Sequence, residues 1–344
     1  MRSVITAWET RSPVGHSAEA HAAGLGTGAP AGDGPRVVPG FEVRQVLGPR
    51  GTRSMCRATG LAVATTGQLL AGAGLGTDRR AGYADEQLGL VLATSDNVQT
   101  LFEFNRDTWT RSRPYDVEPA QVPVLLMNVH ASQCAIWHRL KGPNSTVCGG
   151  HLGSLLALGY ATRMQRRGHA PAVLCGGVEE YSAARAAVAA ADPGAGPYRP
   201  LGEGCAVFLL EDGDALAGTR PVLGEVLAVE FGFAPYPGGV QPVLAGCLRA
   251  ALAKAGVPAA RVAAVAPSPV PGAPGVAERS AITEVFGDVR LATASLDALG
   301  DTHAVSAAFQ VVELLADRAL AGRTAVVTGA DTEGRVGCAV LAIA

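Results

Sequence analysis

The sequence predicts an α/β protein made of two similar halves. Its central stretch, Lys141–Tyr181, runs from a short β-branched segment through a Gly-Gly turn and a long small-residue segment to a second apolar segment, which is the order strand, turn, helix, strand. The last of these segments, AVLCGG from Ala172, recurs 153 positions later as AVVTGA from Ala325. A pattern repeated at this distance predicts a duplicated α/β unit.

The central stretch is the most informative part of the chain. Ser145–Cys148 is predicted to be a buried strand whose final thiol is inert. Gly149-Gly150 marks a turn with unusual backbone angles, and the helix that follows begins at His151 and is apolar on nearly every face, which is typical of a buried helix. The positive end of a helix dipole disfavours an imidazolium ion, so we expect His151 to be neutral.

The elements before this stretch follow the same pattern. We expect strands at Arg2–Ala7 and Gln87–Thr94 and a buried helix at Met55–Leu75, because small apolar residues recur there at strand or helix spacing. Asp96–Thr110 is predicted to be helical and is rich in aromatic residues. These aromatic side chains either belong to the core or cover a functional surface.

The second half begins after about Gly218, and the predicted division is 1–217 and 218–344, packed as one compact unit. Strands are predicted at Pro221–Val229, Val262–Val265, Arg323–Gly329 and Gly337–Ala342, and helices at Val240–Ala255, Glu278–Phe286 and Thr302–Ala319. The helix Thr302–Ala319 ends just before the recurring strand at Ala325, as the helix that begins at His151 ends just before the strand at Ala172. On the offset of 153 positions, the head of this helix near His303 corresponds to the head of the helix that begins at His151.

Composition excludes several functions. The chain of 344 residues has a net charge of −2 and no basic run, so we expect no nucleic-acid partner. Its seven cysteines are scattered without a CxxC pair, which favours reduced thiols in the cytoplasm over disulfides or a metal site. No apolar run reaches the length of about 18 residues that a membrane span needs. We expect no metal and no cofactor.

The central stretch resembles the active-site elbow of the β-ketoacyl synthases, which belong to the thiolase superfamily. The residues that carry the resemblance are Gly142-Pro143, Thr146-Val147, the small-residue helix, and Gly176-Gly177 followed by Glu179. Leu201–Glu211 (LGEGCAVFLLE) is similar to the Gly-Glu-Gly-Ala turn and strand of that family. The resemblance implies a thiolase-like fold, with two βαβαβ-type halves in α-β-α-β-α layers. Glu179 and Glu203 are expected to be structural acids.

The catalytic positions of the family are degenerate in this chain. The spacing places His151 where the family has its nucleophilic cysteine, Pro267 and Asp301 at its two histidines, and Leu296 at its lysine. Condensation needs a thiol to hold the acyl chain and donors to stabilise the enolate, so we predict no condensing activity. His303 is two positions away from the second histidine, and we expect it to face another direction.

A synthase-like chain without the cysteine is similar to the chain length factor of type II polyketide synthases, systems of antibiotic biosynthesis. The resemblance implies a heterodimer with a ketosynthase, contact with an acyl carrier protein through that complex, and an acyl chain in a tunnel at the interface. The short chain is most similar to factors of polyene or other highly reducing systems. Residues expected at the tunnel and interface are Phe102, Phe104, Thr108, Trp109, Gln121, Val122 and Met127.

Two other functions remain open from the sequence. The chain could be a free-standing acyltransferase or thioesterase that uses His151 or Cys148. It could also be a non-enzymatic scaffold that binds acyl chains. Whether it is an enzyme is therefore undecided at this point, although a subunit that is not catalytic alone is the favoured interpretation.

Overall fold

The computed structural model describes residues 1–27, 34–76, 82–95, 97–191, 199–216, 220–236 and 238–344. These residues form ten strands, in chain order β1 (Ser3–Arg11), β2 (Leu88–Ala93), β3 (Asn144–Val147), β4 (Ala172–Glu179), β5 (Gly204–Asp212), β6 (Gly224–Phe233), β7 (Val262–Ala266), β8 (Arg290–Leu291), β9 (Thr324–Ala330) and β10 (Arg335–Ile343). Their α-helices are α1 (Ala18–Leu25), α2 (Val43–Leu47), α3 (Arg57–Gly72), α4 (Val98–Thr110), α5 (Val129–His138), α6 (Gly153–Arg166), α7 (Ala183–Ala190), α8 (Val240–Ala255), α9 (Gly272–Phe286), α10 (Ala294–Leu299) and α11 (Ser306–Ala316).

The strands form one mixed sheet in the order β3-β2-β4-β5-β1-β6-β10-β9-β7-β8. Counted outward from the centre, the first half reads β1-β5-β4-β2-β3 and the second reads β6-β10-β9-β7-β8, which is the same order of chain positions. In each half the three outer strands are parallel and the two central ones are antiparallel to their neighbours. The predicted α/β fold of two similar halves is therefore confirmed. The predicted division at residues 217 and 218 lies outside the described residues and stays a prediction.

The layers follow from which face of each strand is apolar. On β4, Val173 and Cys175 belong to the central core, whereas Ala172 and Leu174 belong to an outer core, as the two-residue period of a strand requires. Helices α3 and α5 pack on the outer face of the first half-sheet, and α8 and α9 pack on that of the second. Helices α6 and α11 contact each other and both half-sheets, so the layers are α-β-α-β-α.

The junction between the halves explains how two helices fit at the centre. Strands β1 and β6 pair only at Val4 and Ile5. Beyond this short contact the two half-sheets separate, and α6 and α11 occupy the space between them. Both helices carry small or apolar buried residues on several faces, as expected for helices enclosed by sheets.

Strand β3 differs from the sequence prediction of a buried strand. It lies at one end of the sheet and pairs only with β2, and its residues are exposed or half-buried. Sequence composition cannot distinguish an edge strand from a central one when the strand is only four residues long. The predicted aromatic helix begins at Val98 as α4, and Asp96 lies outside the described residues. Within the described part of the chain, no helix combines the length and apolar character needed to cross a membrane.

Candidate functional site

The first elbow joins β3 to α6 through a glycine turn. Gly150 has φ = 54°, a left-handed conformation that glycine adopts without the steric cost of a Cβ. A Cβ at this position would lie 3.5 Å from Arg335 Nη2 and 3.5 Å from Asp331 Oδ2. One 3₁₀ turn, Gly150–Leu152, then leads into α6 and places His151 at the head of the helix.

The second elbow leads into α11 in a similar way. The 3₁₀ turn His303–Val305 precedes that helix, and His303 itself has φ = 45°, which is uncommon for a residue other than glycine. Ser154 Oγ donates a hydrogen bond of 2.6 Å to the Ala304 carbonyl. Small residues at the start of α6 therefore let the two helix heads approach, and the rings of His151 and His303 meet edge to face with centroids 4.7 Å apart.

His151 and Asp301 form a half-buried pair across the two halves. His151 Nε2 lies 2.9 Å from Asp301 Oδ1. Burial lowers the pKa of His151, but the charge and hydrogen bond of Asp301 outweigh burial and raise the pKa above its ordinary value. The expectation of a neutral His151 is therefore wrong in direction, because the argument from the helix dipole did not include a carboxylate 150 residues away in sequence.

Asp301 holds both histidines in place. Burial raises the pKa of its carboxyl group, but His151 and Arg185 reverse this and hold the pKa far below its usual range. Asp301 Oδ1 also accepts the backbone N–H of His303 at 2.8 Å, which helps to fix the strained backbone of that residue. Arg185 donates to the carbonyls of Gly202 and Asp301 at 2.7 and 3.0 Å. The sequence analysis missed Arg185, whose only signal was its position shortly after Glu179.

His303 faces the same site as His151, and the expectation that it faces elsewhere is wrong. Its Nδ1 lies 3.4 Å from Glu179 Oε2, an ion-pair distance, although the geometry there does not make a hydrogen bond. Ser95 Oγ donates to the other oxygen of Glu179 at 2.7 Å. The prediction failed because it placed His303 on a regular helix, whereas the residue lies in a 3₁₀ turn with positive φ.

The two elbows border a cavity of about 560 Å³, a size typical of small-molecule sites. His151, Asp301 and His303 line it, together with several apolar side chains. Cys148 also lines it and is exposed, which contradicts the expected buried thiol. The reason is the edge position of β3, because the residue after an edge strand has no second neighbour to cover it.

The two other degenerate positions lie away from the cavity. Pro267 is buried behind Pro269, Val270 and Pro271, which line the cavity in its place. Leu296 is buried in α10, and its carbonyl accepts a hydrogen bond from Arg199 Nη1 at 3.2 Å. The structure therefore brings His151 and Asp301 together and leaves Pro267 and Leu296 outside the cavity lining. The catalytic roles assigned to these four positions by resemblance stay predictions.

The seven residues expected at a tunnel or interface lie on α4 and on the segment before α5. None of these seven lines the described cavity. Phe102 and Trp109 are 58% and 83% exposed, which rules out a core position for them in the single chain. Met127 connects this surface to the site, because its Sδ lies 3.6 Å from Cys148 Sγ. Glu203, predicted to be structural, pairs with Arg57 and accepts the Val38 and Tyr181 N–H groups.

Comparison with known proteins identifies the family. The model of the β-ketoacyl synthase N-terminal domain matches residues 45–215. A β-ketoacyl synthase 2 assigned to the actinorhodin polyketide system of Streptomyces coelicolor is 31% identical over 197 residues, which are 50% of this chain and 47% of that protein. The chain thus spans about half the length, or less, of the curated relatives it matches.

Solved structures extend the similarity to the whole chain. The structure described as the ishigamide ketosynthase/chain length factor matches with a TM-score of 0.89 and 38% identity, over 100% of this chain and 99% of that one. A β-ketoacyl synthase from Burkholderia phymatum matches with a TM-score of 0.81 at 20% identity, over 100% and 99% of the two chains, which supports the fold alone. The chain therefore belongs to the β-ketoacyl synthase family, and its full-length similarity is to a ketosynthase/chain length factor.

Proposed function

We propose that this chain is a chain length factor, the non-condensing subunit of a ketosynthase pair in a type II polyketide synthase of antibiotic biosynthesis. The observation that carries the proposal is the His151–Asp301 ion pair at the head of α6. By family resemblance this is where a condensing enzyme has its cysteine and one of its histidines. An imidazole can attack a thioester, but the resulting acyl-imidazole is labile to water, so His151 is a poor carrier for an acyl chain that must persist between two steps.

The charges around the pair also argue against condensation. An enolate formed by decarboxylation needs hydrogen-bond donors and positive charge nearby. Asp301 places a carboxylate where the family has a histidine, and His151 and Arg185 hold its pKa below the ordinary value despite burial, so this position offers a negative charge in place of a donor. Leu296, at the position of the family's lysine, provides no cation. We infer that the chain is not catalytic in condensation by itself.

The surface of α4 supports the choice of partner. Helix α4 has 13 residues and none of them is buried, although isolated helices of this length are marginally stable in water. Phe102, Trp109 and Val122 are exposed on α4 and the segment after it, and the edge strand β3 lies close by through the contact between Cys148 and Met127. Exposed apolar side chains next to an open sheet edge are typical of an interface, and a ketosynthase subunit is the proposed occupant.

The substrate of the pair would be a polyketide acyl chain attached to an acyl carrier protein. In this proposal the acyl chain starts on the partner's cysteine and grows into a tunnel between the two subunits. Phe104, Thr108 and Gln121 are half-buried at the surface of α4 and the segment before α5, so they would become enclosed when the partner binds. None of the seven cysteines forms a disulfide with another described residue, in keeping with action in the cytoplasm.

Co-expression tests the proposal directly. The chain is produced alone and together with the complete ketosynthase encoded beside it, and light scattering after size-exclusion chromatography gives the mass of each species. We expect a 1:1 complex that makes polyketide from malonyl-carrier protein, and no condensation by this chain alone. A homodimer that does not bind the synthase, or condensation by this chain alone, would refute the proposal.

The length of the product tests the tunnel. Phe104→Ala and Trp109→Ala each remove a bulky side chain from the proposed interface, so we expect products longer by one or more extension units. Mass spectrometry of the released chains measures this, with Val276→Ala on the distant α9 as the control. Unchanged product length in both variants, with the complex intact, would contradict a tunnel role for α4.

A further inference from the structure

The His151–Asp301 pair has the arrangement of a general-base dyad. Asp301 accepts from Nε2 of His151 at 2.9 Å and thereby fixes the tautomer of the imidazole. Among the described residues no hydrogen-bond partner stands at Nδ1, and His151 lines the cavity. We propose that His151 and Asp301 form a general-base dyad that hydrolyses acyl thioesters entering the cavity between the two elbows.

The lining of the cavity suits both an acyl group and a water molecule. It includes the apolar residues Val98, Val188, Leu201 and Val270 as well as the two histidines and Asp301. At about 560 Å³ the cavity can hold a short acyl chain together with a water molecule. The choice of a thioester over other acyl compounds rests on the proposed function.

The head of α6 completes the site. In the turn before α6 the N–H groups of Leu152 and Gly153 bond to the carbonyls of Gly149 and Gly150. The N–H groups of Gly150 and His151 have no acceptor among the described residues, and free N–H groups at a helix head favour negative charge. His303 lies beside them, because a Cβ on Gly150 would be 3.9 Å from His303 Nε2. An oxyanion formed at this point would meet the helix N-terminus and the ring edge of His303, which is the requirement for stabilising a tetrahedral intermediate.

The reaction needs only water as co-reactant. Nδ1 of His151 takes a proton from water as the water oxygen bonds to the thioester carbonyl carbon, giving a tetrahedral anion. When the anion collapses, the C–S bond breaks and the proton passes from Nδ1 to the leaving thiolate. The products are a carboxylic acid and a thiol. Asp301 stays ionised and stabilises the imidazolium, so it acts as a positioning residue.

This activity is distinct from condensation, because it needs neither a cysteine nor an enolate. It would release acyl groups that reach the non-condensing site, whether or not the chain sets product length. The charged groups that face His151 from the surrounding elements are Asp301 and His303 before α11, Arg185 on α7, Asp331 after β9 and Arg335 on β10.

The test is hydrolysis of hexanoyl-N-acetylcysteamine by the purified chain and by its complex. Hexanoic acid is measured by liquid chromatography and mass spectrometry, because the exposed Cys148 would react with thiol reagents. We expect hydrolysis above the buffer rate, and a loss of about 100-fold in His151→Asn, within the range for a general base. His169→Asn, at the far end of α6, is the matched control and should keep the wild-type rate.

The pH profile distinguishes catalysis from a structural role. The rate should rise with pH as the imidazole loses its proton, and in Asp301→Asn the midpoint should move to lower pH while the maximum rate falls about 10-fold. Circular dichroism checks that each variant is folded, and His303→Asn provides a second site variant, expected to be slower. A wild-type rate equal to buffer, full activity in His151→Asn, or an acyl adduct on Cys148 in the intact mass would overturn the proposal. The co-expression test of the ketosynthase complex is independent of all these outcomes.

Discussion

The cavity between the elbows and the surface of α4 differ in whether their side chains find partners within the single chain. In the cavity, His151, Asp301, Glu179 and Arg185 all find partners within the chain, several of them more than 100 residues away in sequence. On α4, in contrast, Phe102 and Trp109 are exposed and the helix has no buried residue. The side chains of the cavity are therefore partnered within the single chain, whereas the α4 surface leaves apolar side chains uncovered, as the proposed interface requires.

This difference separates two kinds of experiment. Changes in the cavity should alter the free energy of unfolding of the isolated chain, since the interactions lost are internal. Changes on α4 should leave that free energy almost unchanged and should weaken only the assembly.

The largest effect is expected for Asp301→Ala. This variant leaves His151 without its carboxylate and removes the acceptor of the His303 N–H. Because the pair is half-buried, the expected loss is about 3 kcal/mol, the lower end of the cost of breaking a buried pair. Urea unfolding of the isolated chain measures the loss. Asp297→Ala is the control, because Asp297 pairs with Arg199 at the surface and should cost less than about 1 kcal/mol. Equal losses of unfolding free energy in the two variants would show that the His151–Asp301 pair stabilises the fold no more than a surface pair does.

Trp109→Ala is expected to weaken binding of the ketosynthase by about 2 kcal/mol, or roughly 30-fold in Kd, because large aromatic side chains dominate many interfaces. The unfolding free energy of the isolated chain should stay the same, since the side chain is 83% exposed. Val276→Ala on α9, also an exposed apolar residue, should change neither quantity. Destabilisation of the isolated chain by Trp109→Ala would contradict the contrast between the two regions.

The stability of the cavity should depend on pH. The folded-state pKa of His151 is raised, so its contribution is complete below the unfolded value of about 6.5 and is lost as pH rises through the folded value. The pKa of Asp301 is lowered, so its contribution is lost only in acid. The unfolding free energy should fall above neutral pH, by at most about 1.4 kcal/mol per pH unit for one proton. Asp301→Asn should abolish this fall, and an unchanged slope would refute the assignment to the pair.

The smallest effect is expected for Gly150→Ala. The Cβ meets only ordinary contacts, so the cost is that of a left-handed residue with a side chain, about 1 kcal/mol. Gly72→Ala, which ends α3 where a Cβ meets open space, should leave the stability unchanged or slightly higher. Thermal unfolding of the two variants in parallel makes the comparison, and equal midpoints would argue against strain at the turn.

Much of the site could be predicted from the sequence, but its connections could not. Spacing within Lys141–Tyr181 indicated the elbow and the position of His151. The resemblance to the family indicated Asp301, at the position of its second histidine. The distance between those residues in sequence hid their contact, so the expected direction of the His151 pKa shift was wrong. His303 was misjudged because a single residue with positive φ changes the direction of its side chain, and sequence spacing assumes a regular helix.

The sequence by itself determined the α/β class, the duplication and the elbow, because these follow from local patterns of small, apolar and glycine residues that act over a few turns of chain. The tertiary structure alone decided which strand is an edge, that Cys148 is exposed, and that the heads of α6 and α11 meet. Those properties depend on which segments become neighbours after folding. Burial and charge pairing are set by such neighbours, and they determine the chemistry that His151 and Asp301 can perform.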